Sequence, residues 1–352
     1  MKILITKFKT FGDVLLLTPL IRNLKVNIPN SSIDILVEGK YGEILKNNPY
    51  INKIHTLENQ KNKFGFFLNL KNILKIFNHK YNLCISTDRG DKGAIISLFS
   101  RADIRIGRKS GSKILLKFAF TNYFQFHGDR HVIDLNLDPL RILNLKITDK
   151  GLDVFSSTEN DSKILDIVPK NKKLVQIHPT SFAIYKSLND KAFSEIIDYI
   201  ELELDFRVLI TAGKNENEIN KVQKILKLCK SKPLNLSGKL SLSELIALNR
   251  KVNLVLTIDT LLMHISSAND KPIIAFFGPT SVANWGPWDK NEMISPYKRQ
   301  GGIQTFGKHT VISQDRECIP CSNVGCMNSG LSDCLLINDT SEIKYLIYKS
   351  LQ

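Results

Sequence analysis

Long apolar runs are missing from this 352-residue sequence: no stretch approaches the ~20 consecutive apolar residues that a membrane-crossing helix needs. That excludes an integral helical membrane protein. The start also lacks a secretory pattern, because Met1-Lys2 leads directly into ILIT with no apolar h-region and no small-residue cleavage site. A cytoplasmic location is therefore expected. Acidic residues are in short supply, 34 against 49 Lys plus Arg, which leaves a net charge of +15. Such a surface attracts nucleic acid, an anionic membrane leaflet or a phosphorylated substrate. The sequence contains no helix-turn-helix, zinc-finger pair or aromatic RNP motif, so nucleic acid is not an expected partner. The glycine spacing of a Walker A loop is absent too.

The composition, 43% hydrophobic and 24% charged, describes a globular chain long enough for two domains. Apolar strands alternate with amphipathic helices from the start: KILIT, a loop holding Gly12-Asp13, a helix from about Val14 to Lys25, then SIDILVE (32–38), YGEILKNNP as a second helix, and INKIHTL. Alternation at this spacing implies right-handed crossovers and a parallel sheet. Residues 61–80, rich in Phe and Lys, read as a basic amphipathic helix suited to a sheet face or a membrane surface. A strand at Leu83 to Thr87 and the loop Asp88-Arg89-Gly90-Asp91-Lys92 follow, then a helix through Phe99 and a strand near 104–107. FAFTNYFQF (118–126) is a second basic-flanked aromatic patch, and HVIDLNLDPLRILNL (131–145) predicts one long helix. The polar stretch 156–172 reads as a linker with a single helical turn.

The alternation restarts with KLVQIHPTS and Lys186. Small hydroxyl residues followed by a lysine before a helix supply the donors and the flexible ammonium that a diphosphate needs. FRVLITAG brings Gly213 to a strand end; Glu216 and Glu218 then open a helix, placed to reach a ribose hydroxyl or to favour the helix dipole. Ser241 and Glu244 have capping-box spacing ahead of another helix. VNLVLTID next delivers Asp259 and Thr260 to the carboxyl end of a buried strand, where open α/β sheets bind ligands. Helix 261–268 carries His264, and PIIAFFG is the following strand. Asp259 and Thr260 serve equally as a helix cap or as a ligand site on these grounds, whereas Asp13 can be a general base although an N-cap is the commoner use of Asp at a helix start. Trp285, Trp288 and the loop to Pro296 read as a surface excursion, and Ile343 to Leu351 as a terminal helix.

Cys84 and Cys229 are isolated and expected in the core. Cys318, Cys321, Cys326 and Cys334 lie in one late loop with C-x2-C-x4-C-x7-C spacing. Disulfides are disfavoured in a cytosolic chain. A structural zinc held by four thiolates and a set of reduced, metal-free thiols are the two readings.

GDVLLLTPLIRNLK (12–25), IHPTS with Lys186, the GKLSLSEL turn and helix, and IDTLLMHISSANDKPIIAFFGPT, in this order and spacing, resemble the ADP-heptose:lipopolysaccharide heptosyltransferases, glycosyltransferase family 9. The likeness covers nearly the whole chain, from Met1 to about Asn338. The late cysteine loop and the DLNLDPLRIL segment are most similar to the group that adds the third, branching heptose of the inner core. The resemblance implies an α/β chain of the GT-B fold, two Rossmann-like domains with parallel sheets facing across a cleft. Residues 1–160 would bind acceptor, 161–335 the ADP-sugar, with the cysteine-rich loop at 317–334, and 336–352 would form a terminal helix.

It further implies an inverting transfer that needs no metal or other cofactor, with Asp13 as general base beside Gly12. Thr180, Ser181 and Lys186 would meet the diphosphate, Asp259, Thr260 and His264 the heptose and phosphate, and Gly213, Glu216 and Leu240 the adenosine. Arg89, Lys92 and Arg101 are the candidates for a phosphorylated lipid A-core acceptor at the cytoplasmic leaflet of the inner membrane, where the enzyme would sit peripherally. Leu261 stands where many members have glycine or another small residue, and Leu188 where tryptophan is usual. A capsular, other glycan or protein acceptor, and a non-catalytic sugar-nucleotide-binding module on the same scaffold, are the alternative readings.

Overall fold

Strand β1 (Lys2–Lys7) is buried over almost its whole length, as a strand flanked on both edges and covered on both faces must be. It pairs in parallel with β2 (Ser32–Glu38) on one side and β4 (Leu83–Ser86) on the other. With β3 (Lys53–Leu57), β5 (Ile104–Arg108) and β6 (Asn122–Phe124), these strands form a six-stranded, all-parallel sheet in the order β3-β2-β1-β4-β5-β6. The computed structural model describes residues 1–57, 73–74, 80–125, 128, 130–299 and 301–352. Nearly all of the basic amphipathic segment expected at 61–80 lies outside them. The chain divides into two compact units, Met1–Phe155 and Ser156–Gln352.

The second unit is built on a seven-stranded sheet, β12-β13-β11-β10-β7-β8-β9. Its members are β7 (Leu174–His178), β8 (Arg207–Ile210), β9 (Leu234–Asn235), β10 (Leu254–Ile258), β11 (Ile273–Phe277), β12 (Gly302–Phe306) and β13 (His309–Ser313). All pair in parallel except the β12–β13 hairpin. Strand order reverses beside β1 in one sheet and beside β7 in the other. At such switch points the loops leaving neighbouring strands part and open a crevice. The crevices are formed by the loops after β1 and β4 in the first unit, and after β7 and β10 in the second.

Several expected elements differ in form. The helix expected from Val14 to Lys25 is two helices, α1 (Phe11–Leu15) and α2 (Thr18–Asn27). Pro19 lies in the first turn of α2, where its missing N–H costs nothing, and the Thr18 hydroxyl donates to the Leu15 carbonyl at 2.9 Å. The second expected helix is a tight 3-10 segment, Gly39–Leu45. Helix α3 (Asp91–Phe99) packs against α4 (Lys113–Ala119), whose last carbonyls accept hydrogen bonds from Arg105. The long helix expected over 131–145 is broken at Leu137 into α5 (Val132–Asn136) and α6 (Asp138–Ile142), with Pro139 starting the second piece.

The expected linker holds a ten-residue helix, α7 (Thr158–Ile167), rather than one turn. The Ser157 side chain caps it and Ile164 is fully buried. In the second unit α8 (Asp190–Asp198), α9 (Glu216–Leu228), α10 (Leu242–Asn249), α11 (Leu261–Ala268), the short α12 (Val282–Trp285) and α13 (Ser341–Leu351) complete the helices. The capping box is present: Ser241 accepts from the Glu244 backbone, and Glu244 accepts from the Ser241 backbone at 2.8 Å.

The segment read as a surface excursion is internal at its start, 286–289, whereas 290–294 and Pro296 are exposed as expected. Trp288 is buried and packs edge-on against Phe306 of the hairpin. Gly307 turns that hairpin with φ +55°, and a side chain there would collide with Asp289.

Candidate functional site

In the second unit every carboxyl strand end from β11 to β9 faces one sheet edge, because the strands are parallel. Asp259 follows β10 and Lys186 follows β7, on a 3-10 turn at Ile184–Lys186. The switch point brings them together: Lys186 Nζ donates to Asp259 Oδ2 at 2.6 Å. Burial would push the Asp259 carboxyl up, but the charge and hydrogen bond of Lys186, then Thr280 and the charge of His264, outweigh it and hold the carboxyl below its ordinary value. Asp259 is thus a carboxylate, and Lys186 a cation tethered beside it.

Thr260 occupies the cap position of α11 in an extended conformation, and its hydroxyl makes no capping bond. Helix α11 therefore begins at this edge without a side-chain cap, its first N–H groups and positive dipole end lying at the carboxyl edge of the sheet. His264 is buried one turn further on. Thr180 is fully buried, while Ser181 closes a small turn, donating to the Ala183 carbonyl and accepting from the Ala183 N–H at 3.1 Å.

A chain of buried amides and hydroxyls fixes this edge from below. His178 Nδ1 meets the Thr211 hydroxyl at 2.9 Å, Gln176 donates to the same hydroxyl, and Asn249 bridges Gln176 and Ser266 at 2.8 Å each. These bonds tie β7 to α10 and α11, so the start of α11 is held relative to the loop that carries Lys186. Burial pushes the His178 imidazole down to about 4, which keeps it neutral.

Further along the edge, the Gly213 N–H donates to Glu218 at 3.1 Å, and a Cβ on Gly213 would meet that carboxylate at 2.7 Å. Glu218 is buried, whereas Glu216 is exposed on the first turn of α9. Gly238, at φ +70°, turns the chain toward the half-buried Leu240.

The first unit has its own crevice. Asp13 lies in the first turn of α1 and accepts from the Thr10 hydroxyl at 3.0 Å. The Phe8 N–H donates to both carboxylate oxygens of Asp88, each at 3.0 Å, which joins the loops after β1 and β4. Lys7, the last residue of β1, is buried; its ammonium is pulled down by burial, against the opposing charges of Asp88 and Asp13. Asp88 is raised by burial, with Lys7 opposing. Neither Lys7 nor Asp88 stood out as a site residue in the sequence.

Beside them a cavity of about 710 Å³ is lined by Arg89, Arg108, Lys109, Lys117, Tyr123 and Gln125 among others, with no acid among the described residues of its wall. Burial, reinforced by Arg89, brings the Arg108 guanidinium down to about 10. Arg108 and Lys109 carry their signal at the carboxyl end of β5, which becomes a site position only through its place next to β4 in the sheet. Lys92 is tied to Glu38 at 3.2 Å and lies over the Phe8 ring. Arg101 must be withdrawn from the cationic group: it ends α3 at the amino-terminal edge of β5, with φ +54°, whereas Arg89 and Arg108 follow the carboxyl ends of β4 and β5.

Residues 70–314 match glycosyltransferase family 9 (heptosyltransferase). Lipopolysaccharide heptosyltransferase 3 of Escherichia coli strain K12 is 31% identical over 292 residues, which cover 80% of this chain and 83% of that protein. The chain belongs to glycosyltransferase family 9. Among solved structures, the glycosyl transferase family 9 protein of Veillonella parvula DSM 2008 superposes with a TM-score of 0.75 at 21% identity, covering 84% of this chain and 85% of that one. The E. coli ADP-heptose lps heptosyltransferase II superposes with a TM-score of 0.74 at 16% identity, covering 100% and 98%. The fold is GT-B.

The cysteine loop of this glycosyltransferase does not assemble the zinc ligand set that was one of its two readings. Among the described residues no three His, Cys, Asp or Glu side chains gather as a metal site. Cys318 and Cys321 face solvent, while Cys334 is buried near Gly278 and Leu335. Burial, with the charges of Cys326 and Cys321, raises Cys334 to about 11.

Proposed function

We propose that this glycosyltransferase moves a heptose from ADP-heptose to the inner core of lipopolysaccharide, adding the third, branching heptose with inversion and without a metal. The observation that carries the reading is the Lys186–Asp259 pair at 2.6 Å beside the start of α11, in a chain 31% identical to a lipopolysaccharide heptosyltransferase 3. Lys186, Thr180, Ser181 and the first N–H groups of α11 receive the diphosphate. They neutralise the charge that grows on ADP as the anomeric C–O bond breaks. Asp259 orients the Lys186 ammonium, and together with Thr260 and His264 it meets the heptose side of the donor. Gly213, Glu216 and Leu240 lie along the edge on the adenosine side, and buried Glu218 holds the Gly213 backbone in place.

Asp13 of the first unit takes the proton from the acceptor hydroxyl. Thr10 fixes its carboxylate, and Lys7 and Asp88 set the field around it. The cationic cavity with Arg89, Arg108, Lys109 and Lys117 receives the phosphates and acidic sugars of the lipid A-core acceptor. The protein works at the cytoplasmic leaflet of the inner membrane, attached peripherally. No helix among the described residues is long and apolar enough to cross a membrane. Mass spectrometry of lipopolysaccharide from a strain lacking this gene tests the reading: one heptose, and whatever is built on it, should be lost. An unchanged core would refute it.

A further inference from the structure

Helices α3 and α4 turn apolar side chains outward on both sides of a shared seam. The seam is closed by Ala94, Leu116, Ala119 and Phe120. On α3 the helical repeat lines up Asp91, Ile95 and Phe99 toward solvent; on α4 it lines up Ile114, Lys117 and Phe118. Ile114 is 76% exposed, Phe118 63% and Ile95 43%. Each such side chain left in water forgoes the free-energy gain of burial. Single exposed apolar residues need no explanation, but two adjoining rows on packed helices do.

The charge around the rows says what covers them. Residues 89–125 carry eight lysines and arginines and only two acids, Asp91 and Asp103. A protein partner's interface core is depleted in lysine, whereas an anionic bilayer surface combines shallow apolar insertion with Lys and Arg at the headgroups. Lys117, between Ile114 and Phe118, can lay its stem along the apolar phase and keep its ammonium at the headgroups. The same helix supplies Leu116 and Lys117 to the wall of the cationic cavity. A surface touched by α4 is therefore also a surface next to that cavity.

We propose that the α3–α4 face docks on an anionic lipid bilayer, with Ile95, Ile114 and Phe118 entering the interface and Lys117 meeting the headgroups. This deepens the reading of a lipid-linked acceptor and rests on it: docking would bring the cavity to the depth at which the acceptor's sugars leave the membrane.

The test uses the full chain and vesicles of phosphatidylcholine with or without phosphatidylglycerol. Wild type should co-sediment with the anionic vesicles and not with the neutral ones. The double variant Ile114→Ser/Phe118→Ser should lose at least about tenfold in that binding while its thermal unfolding stays unchanged, since both side chains are exposed. With ADP-heptose, its transfer to a vesicle-embedded acceptor should fall, and its transfer to the delipidated core oligosaccharide should not. Equal vesicle binding by variant and wild type overturns the proposal, as does equal loss of activity on both acceptors. A wild-type dimer that the variant abolishes, without vesicle binding, assigns the face to a second copy and also overturns it. Absence of transfer to either acceptor by wild type refutes the heptosyltransferase reading instead, and the sedimentation result still decides docking.

Discussion

Lys186 Nζ stands 2.6 Å from Asp259 Oδ2, a cation and a carboxylate delivered by two strands that neighbour each other across a switch in strand order. The pair is largely buried, so neither member is dispensable to the other. Replacing Lys186 with Ala leaves a buried carboxylate without its main counter-charge. Unfolding should become easier by about 3 kcal/mol, and the Asp259 carboxyl should move up toward or past its ordinary value. Turnover with ADP-heptose should fall on the order of 100-fold through loss of leaving-group stabilisation. Denaturant unfolding with and without ADP measures both effects, because the variant should also lose most of the stabilisation that ADP confers on wild type.

Asp13 is held by Thr10, and its removal should affect chemistry more than binding. Asp13→Asn should lower kcat on the order of 100-fold or more, with little change in donor affinity. Steady-state kinetics and ADP titration decide the matter. A variant with wild-type kcat would exclude Asp13 as the base.

Arg108 lines the cationic cavity beside Arg89. Arg108→Ala should therefore raise KM for a phosphorylated acceptor about 10- to 100-fold, as expected for one charge-assisted hydrogen bond. Its KM for ADP-heptose should stay the same. Arg101→Ala, at the other edge of the sheet, should change neither.

His178 and His309 are buried and each is pushed from 6.5 down to about 4, chiefly by burial. Both are neutral in the folded chain at pH 6, while their unfolded counterparts begin to take up protons below 6.5. The unfolded state then binds more protons, so stability is full above pH 6.5 and falls as pH drops from 6.5 toward 4. At roughly 1.4 kcal/mol per unit the loss reaches about 3 kcal/mol for each histidine. Chemical denaturation between pH 7 and pH 4.5 should show the slope, and His178→Gln/His309→Gln should flatten it.

Much of the fold was legible because the buried strands and capped helices carry local signals. Strand β2 and helix α11 occupy the ranges that the alternation and caps predict, and Ser241 and Glu244 form the capping box that their spacing announced. The broken helices at Leu16–Leu17 and Leu137 were less visible, since the apolar periodicity runs on through the breaks. Pro19 and Pro139 carried the signal. The β12–β13 hairpin was missed because its two-residue turn, Gly307-Lys308, is not one of the common Asn-Gly, Asp-Gly or Gly-Gly pairs.

Burial of Trp288 depends on that hairpin and could not be read without it. At the candidate site, Lys186 and Asp259 are 73 positions apart, and only the sheet order places them in contact. Lys7 and Arg108 each end a parallel strand. The position of Arg108 became informative only once β5 was known to lie next to β4.

The central claim, transfer of heptose from ADP-heptose to a lipopolysaccharide core, is tested most directly by incubating the purified chain with ADP-heptose and inner core lacking the branching heptose, then weighing the product. The account predicts a product heavier by one heptosyl residue, with ADP released in equal amount and no requirement for added metal. A core of unchanged mass, or transfer of a different sugar in preference to heptose, would contradict it.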